Sequence, residues 1–124
     1  MKLKVKAVGV APDYYEVDAT NKTITVYDDG KSDTFDFSEV PDDAGKIQVD
    51  EFNGKRPIRS VEMIDGELHI AICQRVGFGN WSGSDWFDAS EYDPYKRYVE
   101  FDNAKSFVGV ATYWTKAGEQ ALGE

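Results

Sequence analysis

The chain has 124 residues, enough for one domain with a buried core, and 14% of them are aromatic, which excludes a disordered acidic tail. Its 14 basic and 23 acidic residues give a net charge of −9, and this excess of acid argues against a nucleic-acid binder and against attraction to anionic membranes, because both need a basic face. A single cysteine excludes an internal disulfide.

The chain begins with a pattern typical of a β-strand over residues 2–10. Leu3, Val5 and Ala7 alternate with three lysines, and this period of two favours a half-buried strand. No apolar stretch of signal-peptide length follows the lysines, and no run of about 18 apolar residues occurs. We therefore expect no signal peptide, no membrane contact and a cytoplasmic location.

Residues 14–38 predict a meander of three strands. Polar and apolar residues alternate throughout, and β-branched residues dominate the middle strand. Asn21 favours a tight turn because asparagine tolerates a positive φ angle. The predicted strands cover 15–20, 23–27 and 33–38, with turns at Asn21-Lys22 and at 28–32.

The most regular hairpin follows an irregular stretch over 39–57, in which 46–51 is a short pairing run and Asn53-Gly54 a turn. Its strands cover 57–64 and 67–75, and Asp65-Gly66 between them favours a type I′ turn. Cys73 falls in an apolar run and is expected in the core.

Residues 76–95 break the strand pattern with three glycines and supply the sharpest candidate for binding. The segment is a lid over an open end of the fold, a protein contact, or a sugar-stacking platform; aromatic residues with adaptable Gly and Ser neighbours favour protein contacts. The candidate binding residues of this aromatic loop are Phe78, Trp81, Trp86, Phe87, Tyr92 and Tyr95.

Two final strands are predicted over 97–102 and 106–114. Strands at regular spacing without intervening helices indicate an all-β fold, either an antiparallel sandwich or a small barrel, with seven to eight strands. We expect a single β-domain over 1–114 and a tail over 115–124.

Catalytic chemistry is missing from the sequence. His69 and Cys73 lie four residues apart on one strand face, roughly 13 Å, too far for a nucleophile–base pair. One His and one Cys do not make a usual zinc site, and no phosphate-binding loop is present. We expect no enzyme, no cofactor and no metal, although carboxylates at 28, 29 and 33, or at 85, 88 and 93, leave a loose calcium site open.

Two segments carry all of the excess acid. Residues 28–51 hold nine acids and two lysines, a net of −7, and residues 76–95 hold four acids and no base. The first segment is a solvated, charge-protected edge, a site for a basic partner, or a row of carboxylates mimicking nucleic acid. Its acidic surface is Asp28, Asp29, Asp33, Asp36, Asp42 and Asp43.

The middle of the chain carries four short motifs, which are Phe35-Asp36-Phe37-Ser38, Val40-Pro41, Pro57-Ile58-Arg59 and Asp65-Gly66-Glu67-Leu68-His69. Through these motifs the chain resembles, over residues 15–75, small acidic proteins encoded beside tail genes in bacteriophages and prophages. The resemblance implies a virion or tail-assembly accessory part, located in the host cytoplasm or in the virion, and it implies no catalytic residue.

These observations together predict a non-catalytic β-domain that contacts other proteins. Its partner is expected to be a virion component, a host protein or a second copy of the chain, and not nucleic acid or a membrane. Two other functions stay open at this point. One is an acidic inhibitor that mimics nucleic acid to block a host defence or DNA-binding protein, and the other is a carbohydrate-binding module.

Overall fold

Three open sheets and no α-helix make up residues 1–102, the part of the chain that the computed structural model describes. The all-β prediction is confirmed for these residues, and none of the three sheets closes on itself. The predicted strand over 106–114 and the predicted tail over 115–124 lie outside the described residues.

Ten strands occur within residues 1–102, and four of them are only two residues long. Two of these short pairings, at 46–47 and 100–101, fall within the predicted pairing run over 46–51 and the predicted strand over 97–102. The other two, at 81–82 and 87–88, lie in the segment 76–95, for which no strand was predicted. The strands are β1 (Lys2–Val8), β2 (Tyr14–Asp18), β3 (Thr23–Asp28), β4 (Lys31–Asp36), β5 (Lys46–Ile47), β6 (Ser60–Ile64), β7 (Glu67–Arg75), β8 (Trp81–Ser82), β9 (Phe87–Asp88) and β10 (Glu100–Phe101).

The largest sheet has the strand order β5-β6-β7-β1-β9, and the predicted meander forms a separate sheet in the order β2-β3-β4. Strands β8 and β10 pair as a small third sheet. A short 3-10 helix over Ala89–Glu91 follows β9, and the Asp88 side chain accepts a hydrogen bond from the Ser90 amide at its start.

The two central strands of the large sheet, β1 and β7, run parallel, so the prediction of an antiparallel fold is wrong at this pair. Lys2 lies opposite His69 and Val8 lies opposite Arg75. The long connection over 9–66 allows this direction, since parallel neighbours need a crossover and cannot be joined by a tight turn. The middle of β7, residues 70–73, is buried on both faces, as is typical of parallel strands.

Two of the predicted tight turns follow the sequence closely, and the one at Asn21-Lys22 differs: the positive φ angle, 59°, is at Lys22, and four residues separate the paired Asp18 and Thr23. Asp65 and Gly66 both have positive φ angles, 51° and 77°, which confirms the type I′ turn between β6 and β7. Asn53 and Gly54 also turn with positive φ angles, between the bridged residues Phe52 and Lys55.

The core draws its residues from both the large sheet and the meander. Alternation of strand residues turns one apolar set inward from each sheet, and these side chains form one buried cluster. Its least exposed members are Leu3 and Val5 of β1, Ile24 and Val26 of β3, and Ile70 and Ile72 of β7.

Candidate functional site

The six aromatic residues predicted as one binding loop do not lie on one surface. Trp81, Phe87 and Tyr92 are half-buried and pack against the core, as the lid interpretation expects. The other three residues of the set are exposed, as a surface that contacts another protein requires. The exposed residues of the set are Phe78, Trp86 and Tyr95.

The packed half of this segment holds the edge of the large sheet. Phe87 lies opposite Leu3, and its ring stacks on Tyr98 with ring centres 4.8 Å apart. Tyr98 also stacks on Tyr92, at 5.6 Å, and burial raises the pKa of Tyr92. Trp81 lies 5.0 Å from the Phe101 ring. These contacts stabilise the fold and leave little of these rings free for a partner.

Trp86 lies at the end of the molecule where β7 begins. The Lys4 ammonium is 5.0 Å from the centre of its ring, and His69 meets it edge-on at 4.9 Å. The His69 ring is also hydrogen-bonded to its own strand, with its Nδ1 atom 2.9 Å from the Glu67 carbonyl oxygen. Trp86 is therefore held against the sheet and is only partly exposed.

Phe78 lies at the opposite end of β7, beside the ends of the parallel pair. The last paired residues of the two strands are Val8 and Arg75, so both strands leave the sheet in the same direction. Val10 is 58% exposed just beyond β1, and Phe78 is 104% exposed just beyond β7. The carboxyl ends of β1 and β7 thus carry two exposed apolar side chains.

A groove of 320 Å³ opens at this same end of the molecule, and we call it the tyrosine groove. Tyr14 and Tyr95 lie 5.8 Å apart between ring centres, and Tyr95 is 85% exposed. The neighbouring Tyr95 hydroxyl raises the pKa of the Tyr14 phenol. Its aromatic and proline walls are Pro12, Tyr14, Tyr15, Tyr92, Pro94 and Tyr95, and its charged rim is Asp13, Arg75, Lys96 and Arg97.

The floor of the tyrosine groove is buried and hydrogen-bonded. The Tyr15 hydroxyl donates to the Pro57 carbonyl at 2.6 Å and lies 3.1 Å from the Cys73 sulfur. Burial raises the pKa of Tyr15, so its phenol stays neutral. Cys73 is buried, which confirms its expected place in the core.

The wall that carries Tyr95 is fixed to β7 through Gln74. The Gln74 side chain donates to the Lys96 carbonyl at 2.7 Å and accepts from the Tyr98 amide at 2.8 Å. Asp93 accepts from the Tyr95 amide at 2.9 Å, and its own amide donates to the Tyr98 hydroxyl at 2.8 Å. The groove is therefore already shaped before a partner arrives.

Sequence reasoning missed most of this groove. It identified Tyr92 and Tyr95 but not Tyr14, Arg75 or Arg97, because these come from three separate places in the sequence. No pattern of neighbouring residues brings these three together, since they meet only when distant segments of the chain pack against one another.

Asp28 does not belong to the acidic surface, and that part of the prediction is wrong. Its side chain is 2% exposed and accepts hydrogen bonds from the Lys55 ammonium and the Asn53 amide, both at 2.8 Å. These donors hold the pKa of Asp28 below its usual value. Its role is structural, joining the end of β3 to the turn over 52–55.

The other five acids of the predicted surface are exposed, but they do not form one row. Asp33 and Asp36 are three positions apart on β4, and therefore project to opposite faces. Asp42 and Asp43 lie on a separate turn. The predicted members that remain at the surface are Asp29, Asp33, Asp36, Asp42 and Asp43.

Within residues 1–102, no three His, Cys, Asp or Glu side chains are grouped so as to hold a metal ion. No helix in this part of the chain has the length and apolar character needed to cross a membrane.

Comparison of the chain with known proteins found no relative. It matches no protein-family model, no curated protein and no solved structure.

Proposed function

We propose that this chain is a non-catalytic binding domain that contacts another protein through the tyrosine groove and Phe78. The observation that carries the proposal is Phe78, a large apolar side chain that is fully exposed three residues after Arg75 of the groove rim. Aromatic side chains in such positions contribute strongly to protein interfaces, because burying them removes a large apolar area from water.

The rigidity of the groove supports the same function. Tyr95 is held on a wall fixed by Gln74, so a partner does not have to order that wall on binding. Tyrosine also offers a large contact area with few rotatable bonds. The resemblance over residues 15–75 supports a phage virion or tail-assembly setting for this partner.

Support for the other two functions is weaker. A nucleic-acid mimic needs carboxylates along one face, whereas Asp33 and Asp36 project to opposite faces. A sugar-binding platform needs open tryptophan faces, whereas Trp81 lies beside Phe101 and Arg97, and Trp86 beside Lys4. Among the six predicted aromatic residues, Tyr95 is the one that both lines the groove and has an exposed ring.

We also propose that the large sheet and the meander are the two layers of a β-sandwich. The support is the shared core, in which residues of β1 and β7 join those of β3 in one buried cluster.

The binding proposal is tested by selecting from a displayed library of random peptides on the folded protein. We expect enriched peptides to bind the wild type and to lose about tenfold or more in affinity on a variant with Phe78→Ser and Tyr95→Ala. The matched control is Ile64→Ser, an exposed apolar residue at the other end of β7. Peptides that bind the double variant as well as the wild type would contradict the proposal, and a glycan array on the same variants tests the sugar alternative.

A further inference from the structure

We propose that the tyrosine groove receives the turn Pro41–Ala44 of a second copy of this chain, so that copies associate head to tail. We call this segment the acidic turn. The inference rests on the proposed function of the groove as a protein-binding site, and adds the identity of its occupant.

Charge is the first argument for an acidic occupant. Three of the residues that line the groove are cations, Arg75, Lys96 and Arg97, and one is a carboxylate, Asp13. This local excess of positive charge occurs on a chain with a net charge of −9. Lys96 lies 5.0 Å from the Tyr98 ring and Arg97 lies 5.3 Å from the Trp81 ring, so both cations are held by aromatic neighbours. Such a rim favours partners that present carboxylates.

The acidic turn has the chemistry that this rim requires. The Ala44 amide donates to the Pro41 carbonyl at 3.1 Å, which closes a four-residue turn with Asp42 and Asp43 at its two central positions. All four residues are exposed. The turn therefore presents two carboxylates at a protruding tip, next to a proline that can lie against the tyrosine and proline walls.

The sizes also agree. A groove of 320 Å³ is at the small end of protein binding sites, so it suits the tip of a turn better than a whole strand or helix. The acidic turn is such a tip, because hydrogen bonds close it on both sides. Besides the Ala44 bond, the Val40 amide donates to the Phe37 carbonyl at 3.3 Å, and the Gly45 carbonyl accepts from the Met63 amide at 2.9 Å.

The contact must join two copies, because the groove and the turn lie at opposite ends of the molecule. Gly45 is bound to Met63, and Met63 lies opposite Leu68 near the start of β7. Arg75, on the groove rim, ends that strand. Leu68 and Arg75 are seven residues apart on β7, a distance of roughly 23 Å along the strand. A head-to-tail contact of this kind closes into a ring or continues as a filament.

The experiment is a charge exchange read by sedimentation velocity at low salt. The groove variant carries Arg75→Glu and Lys96→Glu, and the turn variant carries Asp42→Lys and Asp43→Lys. We expect the wild type to associate in a concentration-dependent manner, and to dissociate as salt is added, because salt screens surface charge. Each variant alone should be monomeric.

Mixing the two variants should then restore the association, with the two variants alternating. The unchanged turn of the groove variant fits the unchanged groove of the turn variant, and the reversed groove and the reversed turn are also opposite in charge, so head-to-tail contacts continue in both directions. A chain carrying all four substitutions should associate again, because both charges are reversed together. The matched control has Asp50→Lys and Glu51→Lys, the same change of charge on exposed residues outside the turn, and it should behave as the wild type.

A wild type that stays monomeric at about millimolar concentration and low salt would overturn the inference, as would variants that associate unchanged or that fail to pair on mixing. If a variant does not fold, a synthetic peptide of residues 37–46 is titrated against the wild type and against Tyr95→Ala, and equal binding to both would overturn it. A monomeric wild type that still selects groove-dependent peptides contradicts only the second copy as occupant, whereas absence of such peptides contradicts the proposed function itself.

Discussion

Asp28 shows how one buried carboxylate can join two distant parts of a chain. Lys55 and Asn53 donate to its two oxygens, so the end of β3 is attached to the turn over 52–55. Removing the Asp28 charge would leave the partly buried Lys55 ammonium without a counter-charge. An unpaired charge lowers the stability of the folded state more when it is buried than when it is exposed. The residue therefore matters for stability even though it is unavailable to a partner.

Replacing Asp28 by Asn should lower the stability of the protein at neutral pH and have less effect in acid. The folded pKa of Asp28 is lowered, so its contribution is present above the unfolded value of about 3.9 and is lost as the pH falls through the folded pKa. Urea unfolding midpoints of both proteins at several pH values measure this. The control is Asp29→Asn, at an exposed neighbour; a constant difference at every pH would contradict the assignment.

At the scale of elements, the edge of β1 depends on a close backbone approach at Gly83. The Val5 amide donates to the Ser84 hydroxyl, and the Ser84 amide donates to the Val5 carbonyl, both at 2.9 Å. A Cβ atom at Gly83 would lie 2.5 Å from the Val5 carbonyl oxygen, which is too close for contact. The segment after β8 can therefore lie along β1 only with glycine at this position.

Replacing Gly83 by Ala should destabilise the fold by about 1–3 kcal/mol, as overpacking against backbone usually does. The same substitution at Gly77, where an added Cβ meets no atom within 4 Å, should change stability little. Thermal unfolding followed by tryptophan fluorescence compares the two variants. Equal melting temperatures for both would show that this segment is not held against β1.

The elements that could be predicted are those specified by neighbouring residues. Asp65-Gly66 and the alternation beside it are sufficient to predict the β6–β7 hairpin. The pairing of β1 with β7 is not predictable in this way, because the residues of neither strand specify its partner, which depends on the rest of the core. The candidate site divides in the same way: Phe78 and Tyr95 stand out in an aromatic segment, whereas Tyr14 and Arg75 become visible only when distant strands meet.

At the scale of the whole molecule, stability should be highest at the centre of the large sheet and lowest at its short edge strands. Amides of β1 and β7 lie between paired strands and bury apolar residues on at least one face. Hydrogen exchange followed by mass spectrometry should show these amides exchanging most slowly, and those of the edge strands β5 and β9 early. Faster exchange in β1 than in β4, an exposed edge strand, would contradict this order.

The parallel pair also determines when the first strand can acquire its place during synthesis. β1 is made first, yet its long partner, β7, ends at Arg75, so most of the described chain must leave the ribosome before the two strands meet. Until then β1 has an apolar face and two unpaired edges, a condition in which strands are prone to wrong pairing. The three lysines that alternate along β1 give this unpaired strand a positive charge. Like charges repel, so the lysines oppose pairing between the β1 segments of neighbouring nascent chains.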